Sequence, residues 1–145
     1  MAESSVHAGL VKGMVDFVGR ELGDLKNIAI RDDSVQPLRG ERPPRIGGFV
    51  PDLYASDVPT TRIIIGEAKT RIDLETLHSE QQISAFLEYL SKSPNGAFLL
   101  AVPLNAAATA RRILGELSSA LTGHPVRTII LDGIAQALTN YGHPC

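Results

Sequence analysis

Two short motifs contain the residue types in this chain that could do chemistry. Pro51-Asp52 lies near the end of one apolar run, and Glu67-Ala68-Lys69 lies at the end of the next. Two carboxylates can hold a divalent metal ion through hard oxygen ligands. A neighbouring ammonium group can orient a water molecule or stabilise a developing negative charge. These residues therefore have the chemistry needed for metal-assisted hydrolysis of a phosphodiester.

The predicted strands that carry the motifs strengthen this interpretation. Residues 49–54 and 61–68 are both predicted as strands, the second because its β-branched isoleucine run is typical of a strand buried on both faces. If the two strands pair as a hairpin, Asp52 lies close to Glu67 across the ladder. Glu67 and Lys69 are two residues apart, so their side chains leave the same face. A simple salt bridge between Lys69 and one acid is the alternative interpretation.

Two helical residues are candidates for the same site. On a helical wheel of residues 8–25, Glu21 falls inside the apolar arc. An ionised carboxylate facing a core is costly unless it is paired or binds a cation, so Glu21 is predicted to point toward the metal. The alternative is that it reaches solvent at the helix end. Gln82 is predicted to point inward, where its amide could hold a water or a phosphate oxygen; a solvated glutamine is the alternative. His78 has no second His or Cys at ligand spacing, which favours a surface histidine.

Basic residues are clustered in front of the first motif. In the loop before it, Arg39, Arg42 and Arg45 outnumber Glu41, and Arg71 follows the second motif by two residues. Phosphate contacts come from clustered Lys and Arg side chains, so these four arginines are the candidate nucleic-acid contacts. A solvated loop whose charges serve solubility is the alternative. The net charge of −2 does not by itself indicate a nucleic-acid binder.

The composition predicts a single domain. The chain has 145 residues, of which 43% are hydrophobic, so residues 1–145 are interpreted as one compact domain with a core. Its single cysteine, Cys145, cannot form an internal disulfide, which fits a reducing compartment. The sequence shows neither a signal-peptide pattern nor an apolar run long enough to span a bilayer. We therefore expect a cytoplasmic protein with no membrane partner.

Hydrophobic periodicity alternates between helix and strand along the chain. Predicted helices cover residues 8–25, 74–90, 105–121 and 134–140. Predicted strands cover residues 27–31, 49–54, 61–68, 97–103 and 126–131, and a loop rich in Pro and Gly covers 34–48. Asn105 is the predicted N-cap of the third helix. The order α-β-β-β-α-β-α-β-α predicts an α/β protein with a mixed central sheet flanked by helices.

This pattern resembles the PD-(D/E)XK nuclease superfamily. Its restriction-endonuclease-like fold has an αβββαβ core, shared by many restriction enzymes and by archaeal-type Holliday-junction resolvases. The resemblance covers residues 8–103, and an extra C-terminal helix-strand-helix follows. Pro51-Asp52 matches the family's PD, and Glu67-Ala68-Lys69 matches its (D/E)XK.

The resemblance implies a magnesium-dependent DNA endonuclease, with manganese as a substitute metal. It implies that Asp52, Glu67 and the carbonyl of Ala68 bind the metal and that Lys69 positions the attacking water. Branched or damaged DNA is the candidate substrate.

The resemblance extends to two further residues and to assembly. Glu21 matches the acid that many members carry on the first helix, and Gln82 resembles a glutamine on the helix after the motif. Members of this size commonly dimerise, so a homodimer is expected, with the elements after Pro103 as the candidate interface. The alternative function is a catalytically inactive nuclease-fold module that acts as a binding or assembly platform, which the net acidity favours.

Overall fold

The computed structural model describes residues 5–22, 29–33, 42–57 and 61–133. They form an α/β protein with a five-stranded mixed sheet flanked by helices. The strands are β1 (Ala29–Asp32), β2 (Leu53–Ser56), β3 (Ile63–Ala68), β4 (Gly96–Ala101) and β5 (Arg127–Leu131). The helices are α1 (Ser5–Leu22), α2 (Arg71–Leu74), α3 (Leu77–Leu90) and α4 (Ala107–Ser119), and a 3₁₀ turn at Leu104–Ala106 precedes α4. No helix in these ranges is both long and apolar enough to cross a membrane.

The strands lie in the sheet in chain order, β1-β2-β3-β4-β5. The pairs β1–β2 and β2–β3 are antiparallel, whereas β3–β4 and β4–β5 are parallel. The parallel connections pass through α3 and α4, as parallel strands require a crossover. The predicted hairpin between the two motif strands is confirmed, because β2 and β3 pair antiparallel.

A carboxylate stabilises the chain at the entry to β3. Asp57 accepts hydrogen bonds from the backbone N–H groups of Thr61 and Arg62 at 2.8 and 2.9 Å, and from the Thr61 hydroxyl. These hydrogen bonds lower the pKa of Asp57 to about 2. The contact holds the end of β2 beside the start of β3, which helps to fix the register on which the site depends.

Both faces of the sheet are buried under helices, as predicted for β3. One face packs against α1, with core residues Val11, Met14, Val15, Val18, Leu53, Ala55, Ile64 and Leu99. The other packs against α3 and α4, with core residues Ile63, Ile65, Ile83, Phe86, Leu90, Phe98, Leu100, Ala110 and Ile113. Successive residues of β3 therefore alternate between the two layers.

Gly66 lets α1 approach the middle of the sheet closely. A Cβ atom at this position would lie 2.8 Å from Sδ of Met14 and 3.2 Å from Cβ of Leu53. Ordinary van der Waals contacts are longer, so the absence of a side chain at Gly66 gives Met14 its place in the core.

Two threonine caps shape the segment after β3. Thr70 caps α2 by accepting from the N–H of Asp73, and Thr76 caps α3 by accepting from the N–H of Ser79. The single helix predicted over 74–90 is therefore wrong at its start: the structure divides it into α2 and an α3 that begins at Leu77. A side-chain oxygen that satisfies the free N–H groups of a helix start is the physical reason for the break.

Other boundaries also differ from the predictions. The strand predicted over 49–54 begins only at Leu53, because Ile46 and Phe49 form a separate bridge around a turn and Pro51 has no N–H for a ladder. Asn105 does not cap a helix; it lies inside the 3₁₀ turn, and the N-cap of α4 is Ala106. The predicted helix over 134–140 lies outside the described residues.

Candidate functional site

The two carboxylates lie side by side at one end of the β2–β3 hairpin. Leu53 pairs with Gly66, and Asp52 and Glu67 are the next residues on each strand in that register. The backbone N–H of Asp52 donates to Oε1 of Glu67 at 2.9 Å. The backbone N–H of Ala68 donates to Oδ2 of Asp52 at 2.8 Å. Each carboxylate is therefore oriented by the backbone of the opposite segment.

Lys69 completes a contact chain from the sheet to α3. Its Nζ lies 3.4 Å from Oε2 of Glu67 and also donates to the amide oxygen of Gln82. Its backbone N–H donates to the carbonyl of Ala101 at 3.0 Å, which joins the residue to the end of β4. The structure thus brings together Asp52, Glu67, Lys69 and Gln82, all from the sequence-based set of site residues.

Burial gives Glu67 unusual electrostatics. The residue is 2% exposed and Asp52 is 9% exposed. Burial, and next the charge of Asp52, raise the pKa of Glu67 to about 8, while the charge of Lys69 acts in the opposite direction. With both acids ionised, the pair carries two negative charges, and the ammonium of Lys69 beside Glu67 supplies one positive charge. Such a site favours an additional cation.

The oxygen donors of this site suit magnesium. Carboxylate and carbonyl oxygens are hard ligands, and Mg²⁺ usually binds through one or two carboxylates while it keeps several waters. Among the described residues, the hydrogen-bond partners of the Asp52 carboxylate, His7 and Ala68, both contact Oδ2, which leaves lone pairs of Oδ1 for a cation. The same ranges contain no cluster of three or more His, Cys, Asp or Glu side chains that could hold a metal. Asp52 and Glu67, with the carbonyl of Ala68, would therefore bind a largely hydrated ion.

His7 is a neighbour of Asp52 that sequence reasoning missed. Its Nε2 lies 3.3 Å from Oδ2 of Asp52, and the residue belongs to the first turn of α1. When protonated, the imidazole adds a positive charge beside the carboxylate pair. A single histidine on an amphipathic helix has no spacing signal, so only the packing of α1 against the sheet identifies it.

Glu21 is not brought to this site, which corrects its prediction. Helix α1 reaches the carboxylates with its first turn, where His7 lies. At 1.5 Å per residue, the helix carries Glu21 about 21 Å from His7 along its axis. Glu21 is exposed in the last turn, so the alternative of a solvent-facing side chain describes it correctly.

The candidate DNA-binding arginines have different surroundings. Arg39 lies outside the described residues. Arg42 is exposed and pairs with Asp33, with 3.1 Å between Nη1 and Oδ1. The backbone N–H of Asp33 in turn donates to the carbonyl of Asp52 at 2.9 Å. Arg42 is therefore connected to the site through Asp33. Arg71 is exposed at the start of α2, two residues after Lys69.

Arg45 and His78 have structural contacts. Nη1 of Arg45 donates to the carbonyl of Gly48 at 2.7 Å, which stabilises the turn before the first motif. His78 is exposed and lies edge-to-face on Phe49, with 5.6 Å between ring centroids. The imidazole packs on an aromatic ring, in agreement with its prediction as a surface histidine.

Comparison with known proteins gives no further assignment. No family model, curated protein or solved structure matches the chain.

Proposed function

We propose that this protein is a magnesium-dependent nuclease that hydrolyses DNA phosphodiester bonds as an endonuclease. The observation that supports the proposal is the buried contact chain Asp52–Glu67–Lys69–Gln82 at one end of the sheet. The order of the elements α1, β1, β2, β3, α3 and β4 supports a restriction-endonuclease-like core.

Asp52 and Glu67 are the proposed metal ligands, with the carbonyl of Ala68. Bound magnesium supplies Lewis acidity and lowers the pKa of a bound water. The backbone N–H groups that orient both carboxylates hold them in place before substrate arrives, which reduces the cost of ordering the site during the reaction.

Lys69 is the residue proposed to position the attacking water. An ammonium group has three donors, and the contacts with Gln82 and Glu67 leave one for a water or a phosphate oxygen. The positive charge is fixed beside the bond to be broken, where it stabilises the negative charge that develops on the phosphate. Gln82 acts by holding Lys69 in that orientation.

The test is cleavage of supercoiled plasmid and of a four-way DNA junction in magnesium. Asp52→Asn, Glu67→Gln and Lys69→Met should each lower the rate by about 10²–10³-fold. Glu116→Gln and Lys92→Met alter exposed residues elsewhere and serve as matched charge controls. Cleavage that survives the three site substitutions, or that proceeds in a chelator, would rule the proposal out.

An inactive binding platform would give different results. Calorimetry would detect no metal binding, and in the cleavage assay the plasmid would stay intact. Homodimer formation stays a prediction, which light scattering tests against the monomer mass of 15.5 kDa.

A further inference from the structure

Exposed apolar side chains lie at the end of the sheet that carries the proposed catalytic site. Among the described residues, every large hydrophobic side chain with more than half of its surface exposed belongs to this group. We call the group the apolar rim; it consists of Val6, Ile72, Leu77 and Leu104.

The topology puts the whole apolar rim at one end of the sheet. Leu104 closely follows the carboxyl end of β4, and Ile72 closely follows that of β3. Leu77 begins α3, which runs back along the sheet from the same end. Val6 adjoins His7, whose imidazole contacts Asp52. The apolar rim therefore lies at the same end of the sheet as the carboxylate pair.

A cleft of about 180 Å³ opens at the same end. It lies between α1 and the carboxyl ends of β4 and β5, and it is lined by Gly9, Leu10, Gly13 and the segments 101–103 and 131–133. Its wall includes Ala101, the residue whose carbonyl accepts the backbone N–H of Lys69. A Cβ atom at Gly9 would meet nothing within 4 Å, so this lining position has room for a larger side chain.

Paired DNA fits this surface poorly. A duplex presents its phosphates outward, and the apolar rim would lie against them without hydrogen bonds or charge. An unpaired strand exposes the apolar faces of its bases, and burying them against the aliphatic side chains of the rim is favourable. The net charge of −2 also limits the share of affinity that phosphate contacts can supply.

We propose that the site acts on an unpaired strand of DNA. A base next to the scissile phosphate enters the cleft, and the apolar rim lies against the neighbouring bases. The cleft is smaller than the roughly 300–1,000 Å³ of pockets for drug-sized ligands, which suits one base-sized group. This inference rests on the proposed nuclease function and adds to it the form of the substrate.

The test measures binding on an Asp52→Asn background, which keeps an oxygen acceptor for the N–H of Ala68. Fluorescence anisotropy in magnesium compares a labelled single-stranded oligonucleotide with its fully paired duplex. The single strand should bind at least about tenfold more tightly than the duplex, a difference of about 1.4 kcal/mol. Ile72→Ser combined with Leu104→Ser should remove most of that difference.

Gly9 and Gly115 provide a matched pair of variants. Both glycines lie in helices and have open space beside them. Gly9→Leu adds a side chain at the lining of the cleft and should lower single-strand affinity about tenfold, whereas Gly115→Leu on α4 should leave it unchanged. Circular dichroism of both variants checks that each keeps its helices.

Three results would overturn the inference: equal affinity for the duplex, no effect of Gly9→Leu relative to Gly115→Leu, or no binding of either DNA. In the last case the apolar rim belongs to a protein interface. Single-strand binding without cleavage by the wild-type protein would overturn the nuclease proposal and keep the strand preference. Cleavage of duplex and single strand at equal rates would overturn the strand preference and keep the nuclease proposal.

Discussion

Oε1 of Glu67 accepts a hydrogen bond from the backbone N–H of Asp52 at 2.9 Å. A second bond runs in the opposite direction, from the N–H of Ala68 to the Asp52 carboxylate. The two acids are therefore held together by backbone groups although their charges repel. Because that repulsion adds to burial in raising the pKa of Glu67, the site has consequences for stability that do not depend on knowing the substrate.

The metal-free protein should lose stability as pH rises through the neutral range. The pKa of Glu67 is about 8 in the folded protein against an ordinary value of 4.5. Between these values the folded state holds a proton that the unfolded state has released, so the free energy of unfolding falls as pH rises. The contribution is complete below about pH 4.5 and is lost by about pH 8. Thermal unfolding in a chelator at a series of pH values measures it.

The variant Glu67→Gln tests this assignment. A neutral amide retains an oxygen acceptor for the N–H of Asp52 and has no charge to desolvate, so the melting temperature should vary less with pH. Glu116→Gln, on the exposed face of α4, should keep the wild-type slope. Equal slopes in Glu67→Gln and wild type would show that another group titrates.

Magnesium should stabilise the folded protein at about pH 8. At a metal concentration tenfold above its dissociation constant, one bound ion adds about 1.4 kcal/mol. For a domain of this size this corresponds to a rise of about 3–6 °C in melting temperature. Asp52→Asn should abolish the rise, and Asp16→Asn, an exposed acid paired with Lys12 on α1, should retain it. A rise that persists in Asp52→Asn would place the metal elsewhere.

Alanine variants of Gln82 and of its neighbour Gln81 test whether Gln82 positions the side chain of Lys69. Gln82→Ala removes the amide oxygen that holds Nζ of Lys69, while the contact with Glu67 remains. We expect kcat on DNA to fall about tenfold with little change in KM, less than the 10²–10³-fold loss expected for Lys69→Met. Gln81→Ala changes the exposed neighbour and should be silent. Equal kinetics for the two glutamine variants would remove Gln82 from the site.

Gly66→Ala should destabilise the packing of α1 on the sheet. The new methyl group would meet Sδ of Met14 and Cβ of Leu53, and the Leu53 atom cannot rotate away. Overpacking of this kind costs about 1–3 kcal/mol, which denaturant titration detects as a lower midpoint. Gly115→Ala, where the added atom meets open space, should instead stabilise α4 by about 0.5–1 kcal/mol. A Gly66→Ala midpoint equal to wild type would refute the close approach of α1.

The central pairing of the site was accessible from sequence because strand alternation and hairpin spacing are local properties. Burial of β3 on both faces followed from its isoleucine run, and the antiparallel partner placed Asp52 beside Glu67. The start of α3 was less accessible, since the apolar periodicity continued through Leu74. The start of α3 is fixed by Thr76, which caps this helix.

The helical wheel could not place residues along the helix axis. A wheel gives the angle of Glu21 around α1, and its angle falls in the apolar arc. It contains no information about which turn of the helix meets the carboxylates. Only the packing of α1 on the sheet selects the first turn, and with it His7. Angular position and axial position are separate requirements, and tertiary contacts supply the second.

The position of β1 has a consequence for how long the site stays ordered. This four-residue strand forms one edge of the described sheet, and the N–H of Asp33 just after it holds the carbonyl of Asp52. Short edge segments open locally at a lower free energy than central strands, so their amide hydrogens exchange with solvent sooner. Each fraying of β1 releases one of the backbone bonds of Asp52. Fraying at the margin of the sheet therefore loosens the backbone of Asp52, and a cation bound at the carboxylate pair should slow amide exchange in β1.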